Sequence, residues 1–143
     1  MIDYTLSFDL YLLDSWDGGY PGLYGPDFFS VAVNGQSLLH EAMHSVEVQQ
    51  NFRQPDVGPA HLGYNTRYVD SIYRDVTLQF SLACDVETIR IDFIGQPSSF
   101  ELDDESWALD NIRLSARAVP TPGTMAGGLL GLALAAPRRR RLR

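Results

Sequence analysis

The feature that most constrains this chain is a strict alternation of apolar and polar side chains near its start. Tyr4, Leu6, Phe8, Leu10 and Leu12 alternate with Thr5, Ser7, Asp9 and Tyr11. Side chains of an extended strand point alternately to opposite faces, so a period of two predicts a half-buried strand. The same alternation recurs in Phe29, Val31 and Val33, in Val76, Leu78, Phe80 and Leu82, and in Ile89, Ile91 and Phe93. Asn34-Gly35 is a type I′ hairpin signal, which predicts that Gln36 to about Met43 returns as a partner strand. Trp107 to Leu114 reads as the last strand. A tight turn near Asp85 separates two of these runs. Asp14 to Asp27, Ser45 to Ser71 and Pro97 to Glu105 lack the period and read as loops. Short alternating strands joined by turns and long loops predict an all-β fold, an antiparallel β-sandwich of jelly-roll type.

The alternation covers residues 1–118, and composition changes sharply after them. The eleven basic residues are all Arg, and five of them fall in the last six positions. Residues 1–118 therefore hold six Arg against eighteen acids, a net of −12. Such a body repels nucleic acid and attracts cations. Cys84 is the only cysteine, so no intrachain disulfide forms and the fold rests on its core. Its place after VTLQFSLA predicts a small buried hydrophobe.

Residues 119–143 read VPTPGTMAGGLLGLALAAPRRRRLR. Gly123 to Ala136 is an uncharged run of fourteen residues, expected to form a short hydrophobic helix. At ~1.5 Å per residue it spans about 21 Å, short of the ~30 Å hydrocarbon core, so crossing requires local thinning of the bilayer or help from its flanks. Arg138, Arg139, Arg140, Arg141 and Arg143 belong on the cytoplasmic side. Pro120 and Pro122 keep the preceding chain extended. This segment resembles the PEP-CTERM sorting signal of exported bacterial proteins, with Pro120-Thr121-Pro122 in place of the family's Pro-Glu-Pro. The resemblance implies processing by an exosortase-type enzyme, tethering to the membrane through the C-terminus, and delivery to the cell surface or extracellular matrix. Met1-Ile2-Asp3-Tyr4 shows no secretory leader. The tail therefore implies a leader missing from this start, or else a vestigial tail on a cytosolic protein.

The body carries a second resemblance. LSFDLYLLDSWDG, RYVDSIYRDVTLQFS and DDESWALDNIRL are similar to modules of exported bacterial proteins with concanavalin-like or galactose-binding-like sandwiches. That implies a fold better than a ligand. In galactose-binding-like sandwiches an Asp in such a final-strand motif often serves a structural ion.

Four constellations of residues are candidates for chemistry. Asp14, Asp17 and Asp27 lie in the first loop, and Asp103, Asp104, Glu105 and Asp110 cluster near the last strand. First and last strands of a jelly roll often lie side by side, so the two groups can converge on Ca2+, which takes ~6–8 oxygen ligands. The chosen ligands are Asp14, Asp17, Asp104 and Asp110. Trp107 and Leu109 share one parity, Ile112 and Leu114 the other, which predicts a β-bulge at Asp110-Asn111. Next, His40-Glu41-Ala42-Met43-His44 matches the H-E-x-x-H zinc-hydrolase pattern, which needs a helix. In an extended strand the two His stand ~13 Å apart, too far for one zinc. His61 and Asp56 are the available third ligands. Third, the loop aromatics Trp16, Tyr20 and Tyr24, with Tyr64, Tyr68 and Tyr73 elsewhere, offer flat faces to sugar rings. Asp103 and Glu105, two residues apart, fall within the carboxyl separation of inverting glycosidases. The sequence reads best as an exported, non-enzymatic module for extracellular polysaccharide; a zinc-dependent hydrolase using the HEAMH segment is the alternative.

Overall fold

The computed structural model describes residues 1–20, 25–45, 52–97 and 104–119. The sorting motif at Pro120, Thr121, Pro122 and Arg138 to Arg141, the short hydrophobic helix expected at Gly123 to Ala136, and Tyr24 lie outside them. Among the described residues there are seven strands and no helix, so none is long and apolar enough to cross a membrane. The strands are β1 (Ile2–Asp14), β2 (Phe28–Val33), β3 (Gln36–Ala42), β4 (Val57–Ala60), β5 (Asp70–Leu82), β6 (Ile91–Gln96) and β7 (Glu105–Ala118). They form a four-stranded sheet of order β4-β5-β1-β7 and a three-stranded sheet of order β3-β2-β6, with every pairing antiparallel.

The alternation in β1 sets the core. Leu6, Phe8, Leu10 and Leu12 are at most 1% exposed and face Phe29 and Val31 of the other sheet. Phe8 packs edge-on against Phe93 at 5.2 Å, and Phe29 packs edge-on against Trp107 at 5.3 Å. These contacts join β1 and β7 to β2 and β6 across the gap between sheets. Each such burial contributes about 1.5–3 kcal/mol. Asn34 and Gly35 hold φ of 49° and 82°, the left-handed pair that a type I′ turn requires, and β3 returns beside β2 as expected.

Some elements differ from the sequence reading. β4 lies inside the stretch read as irregular; Gly58-Pro59 hides so short an edge strand. β5 begins at Asp70, six residues before Val76. The turn near Asp85 carries the chain from one sheet to the other, because β6 pairs with β2. Cys84 is exposed rather than buried: it lies in that turn, where its Sγ accepts a contact from the Met1 amino terminus at 3.0 Å.

The bulge expected at Asp110-Asn111 is present, and a second one faces it. Between Ser7 and Asp9 the β1–β7 register slips by one residue, and between Phe8 and Leu10 the β1–β5 register does the same. The extra residues sit at Asn111 (φ 53°) and Asp75 (φ 49°). Asp9 joins both. Its Oδ1 accepts the Asp75 N–H at 2.8 Å and its Oδ2 accepts the Asn111 amide at 2.8 Å. Those two bonds, the Asp75 N–H first, hold the Asp9 carboxyl below its ordinary value against the opposing effect of burial, with help from Arg74 and Arg113.

Two outcomes follow. A Cβ at Gly95 would come within 2.2 Å of the Trp107 indole nitrogen, so Gly95→Ala is expected to cost ~1–3 kcal/mol, read as a fall in Tm. Asp9→Ala strands two donors and is expected to cost ~2 kcal/mol or more in denaturant unfolding at neutral pH. Because the folded value of Asp9 is depressed, its contribution is present above the unfolded carboxylate range near ~4 and fades as pH falls through the folded value. The gap between wild type and Asp9→Ala is therefore expected to narrow in acid.

Candidate functional site

The loop end of the structure, where β1 finishes and β7 begins, gathers acids from three chain segments. The β1–β7 ladder places Asp14 opposite Glu105. Just beyond it, the Ser15 N–H donates to the Asp104 carbonyl at 2.7 Å and its hydroxyl to Asp104 Oδ1 at 2.7 Å. Trp16 then turns its indole into the core, 1% exposed, and its Nε1–H donates to the Ser106 carbonyl at 2.7 Å. That anchor sets Asp17 at the rim. Asp17 and His44 form an isolated antiparallel β-bridge through their backbones, the Asp17 N–H donates to Asp27 Oδ2 at 2.6 Å, and the Asp27 N–H donates to the Gly18 carbonyl at 2.8 Å. Asp17, Asp27 and Glu105 each bring a carboxylate oxygen within 4.8 Å of the other two. Asp27 and Glu105 are buried, and Asp17 is half-buried.

Burial, then the Asp27 and Asp104 charges, push the Asp17 carboxyl above its ordinary value. The donor set is all oxygen and all anionic, which suits a hard cation such as Ca2+ better than the nitrogen- and sulfur-seeking metals. Backbone carbonyls and water would supply the remaining ligands.

The four carboxylates selected from sequence are divided. Asp17 belongs to the cluster, and Asp104 acts on it through its field. Asp14 is fully buried on the core side of β1, where its Oδ1 accepts the Asn65 N–H at 3.1 Å and its carboxylate lies against Gly63. Asp110 stands opposite Asp9 at the bulge, five residues along β7 from Glu105, or about 16 Å of extended strand. Its Oδ1 accepts the Asn111 N–H. Asp27 and Glu105, noted as loop acids, are the cluster's other members. Glu105 could have been found: it shares the core-facing parity of Trp107 and Leu109. Asp70 carried no such signal. It is buried, and it accepts N–H groups from Asp14 (2.7 Å), Gly63 (2.7 Å) and Leu62, tying the 61–65 loop to the end of β1.

The aromatic platform is dispersed. Trp16 is a core residue, so its ring faces are not open to a sugar; an indole with an internal acceptor gains more from burial. Tyr20 is 48% exposed and Tyr64 87%, while Tyr73 is buried, with its hydroxyl donating to the His44 carbonyl. The HEAMH segment is extended: His40 and Glu41 lie in β3, and His44 is past its end. His40 stacks on Phe28 and hydrogen-bonds Ser30, and the Tyr73 hydroxyl reaches the His44 carbonyl. The helix that would aim both rings at one zinc is not formed. Asp56 pairs with Arg53, and His61 bonds the Tyr68 carbonyl. Asp103 lies outside the described residues. Compared with family models, curated proteins and solved structures, the chain matches none of them. Its class is therefore given by its own geometry: an all-β protein with a carboxylate cluster at one end.

A folded Asp17 that holds its proton more tightly than the unfolded chain gains stability as pH falls through the raised folded value. In chelator, Asp17→Asn is therefore expected to melt at or above wild type at neutral pH. The advantage is expected to shrink as pH is lowered toward ~4, measured by thermal unfolding across that range.

Proposed function

We propose that this chain is an exported, non-enzymatic β-sandwich module of jelly-roll type that binds or builds extracellular polysaccharide, with Ca2+ as a structural ion at Asp17, Asp27 and Glu105. The observation that carries the reading is the convergence of those carboxylates from the β1–β2 loop and the start of β7. A cation there would offset mutual repulsion and clamp the first loop to the last strand. Millimolar calcium outside cells is enough for a weak site of this kind. The jelly-roll reading draws support from the nested pairing of β1 with β7 and β2 with β6. Residues 119–143 serve as the sorting tail: an exosortase-type enzyme is the processing partner, and the tail tethers the protein to the membrane before it reaches the surface or matrix. The body's net charge of −12 argues against nucleic acid as a partner.

Thermal unfolding in chelator, calcium and magnesium tests the ion. Calcium at a hundred times its Kd stabilises by ~2.7 kcal/mol, a rise in Tm of several degrees. Asp27→Asn is expected to remove most of that rise. An equal rise with magnesium, or an undiminished calcium response in Asp27→Asn, rejects the ion.

A further inference from the structure

The outward face of the four-stranded sheet carries a second feature, far from the carboxylate cluster. Where β5, β1 and β7 run together, the ladder aligns Gln79, Thr5 and Ser115 in one cross-strand row, and Ser81, Asp3 and Arg117 in another. All six occupy the outward parity, opposite to the core-facing Leu6 and Leu78. Between the rows run Tyr4, Phe80 and Ala116, whose side chains belong to the other face; Tyr4 and Phe80 stack there at 5.2 Å. The result is an open trough of about 600 Å³ with backbone for a floor and two polar walls. The next row, Thr77, Ser7 and Arg113, extends the polar surface toward the Asp9 bulge.

The walls have a definite chemistry. Every side chain in them donates or accepts hydrogen bonds, and none is apolar. The two charges balance, Asp3 against Arg117. The Ser81 hydroxyl donates to Asp3 Oδ1 at 2.7 Å and orients that carboxylate. Among the described residues Arg117 forms no ion pair, whereas Arg53 and Arg90 do. A carboxylate, a guanidinium and an amide side by side suit vicinal hydroxyls, which donate to the first and accept from the others. A polyanion would meet a trough with no net charge on a body of −12.

We propose that this trough is the saccharide contact, that it takes an uncharged, hydroxyl-rich glycan chain, and that it does so in place of the loop aromatics. The proposal rests on the polysaccharide-binding reading above and gives that reading its location. Contact is by hydrogen bonding without aromatic stacking, so single-chain affinity is low and a multivalent polymer is the natural ligand.

Native gel electrophoresis of the full chain through gels containing dextran, galactomannan or polygalacturonate tests it. Retardation by a neutral polymer is expected, weakened about tenfold in Arg117→Ala and in Gln79→Ala, and unchanged in Tyr20→Ala. Both trough residues are exposed, so unchanged Tm values are expected to accompany the loss. Neutral-polymer retardation that survives both trough variants overturns the location and leaves the polysaccharide reading standing. Retardation by polygalacturonate alone overturns the ligand class. No retardation by any polymer overturns the location and the reading together.

Discussion

The Asp9 carboxylate is the point on which the sheet geometry turns. It sits in the middle of the central strand and ties down an extra residue in each neighbour, Asp75 on one side and Asn111 on the other. Each extra residue reverses the parity of its strand. Tyr73 and Val76 can then both face the core from β5, and Leu109 and Ile112 can both take the inner parity from β7. Without the reversal in β5, Val76, Leu78 and Phe80 would fall on the outward parity and their polar neighbours on the inner one. A buried acid on the nominally outward side of β1 thus lets two long strands stay in register over thirteen and fourteen residues.

That dependence explains what could be read from the sequence. Where apolar residues alternated without interruption, as in β1, β2 and the end of β5, the strands were legible. The β7 bulge was legible too, because Trp107 and Leu109 disagree in parity with Ile112 and Leu114. The matching bulge in β5 was not, since Arg74-Asp75 breaks the pattern and the residues before it look like loop. β4 was hidden for a different reason: four residues containing Gly-Pro carry no period.

The site was half legible. Pairing of first and last strands brings the first-loop acids to the start of β7, and the geometry delivers Asp17, Asp27 and Glu105 together. Two of the four carboxylates chosen from sequence, Asp14 and Asp110, lie away from that cluster, because local conformation decides their direction. Asp14 looks like the first loop acid but is the last residue of β1, at φ 68°, and it serves the backbone of residues 61–65. Trp16 looked like a binding aromatic because loops are usually exposed. Its N–H finds the Ser106 carbonyl, and the ring becomes part of the core.

The position of Trp16 next to Asp17 joins a dry anchor to a charged rim with no slack between them. The indole is fixed by its burial and by the Ser106 carbonyl, and Asp17 follows it directly in the chain. The position of the charged rim is thus set by the hydrophobic interior. An ion placed there would meet oxygens of Asp17, Asp27 and Glu105 that already lie within 4.8 Å of one another.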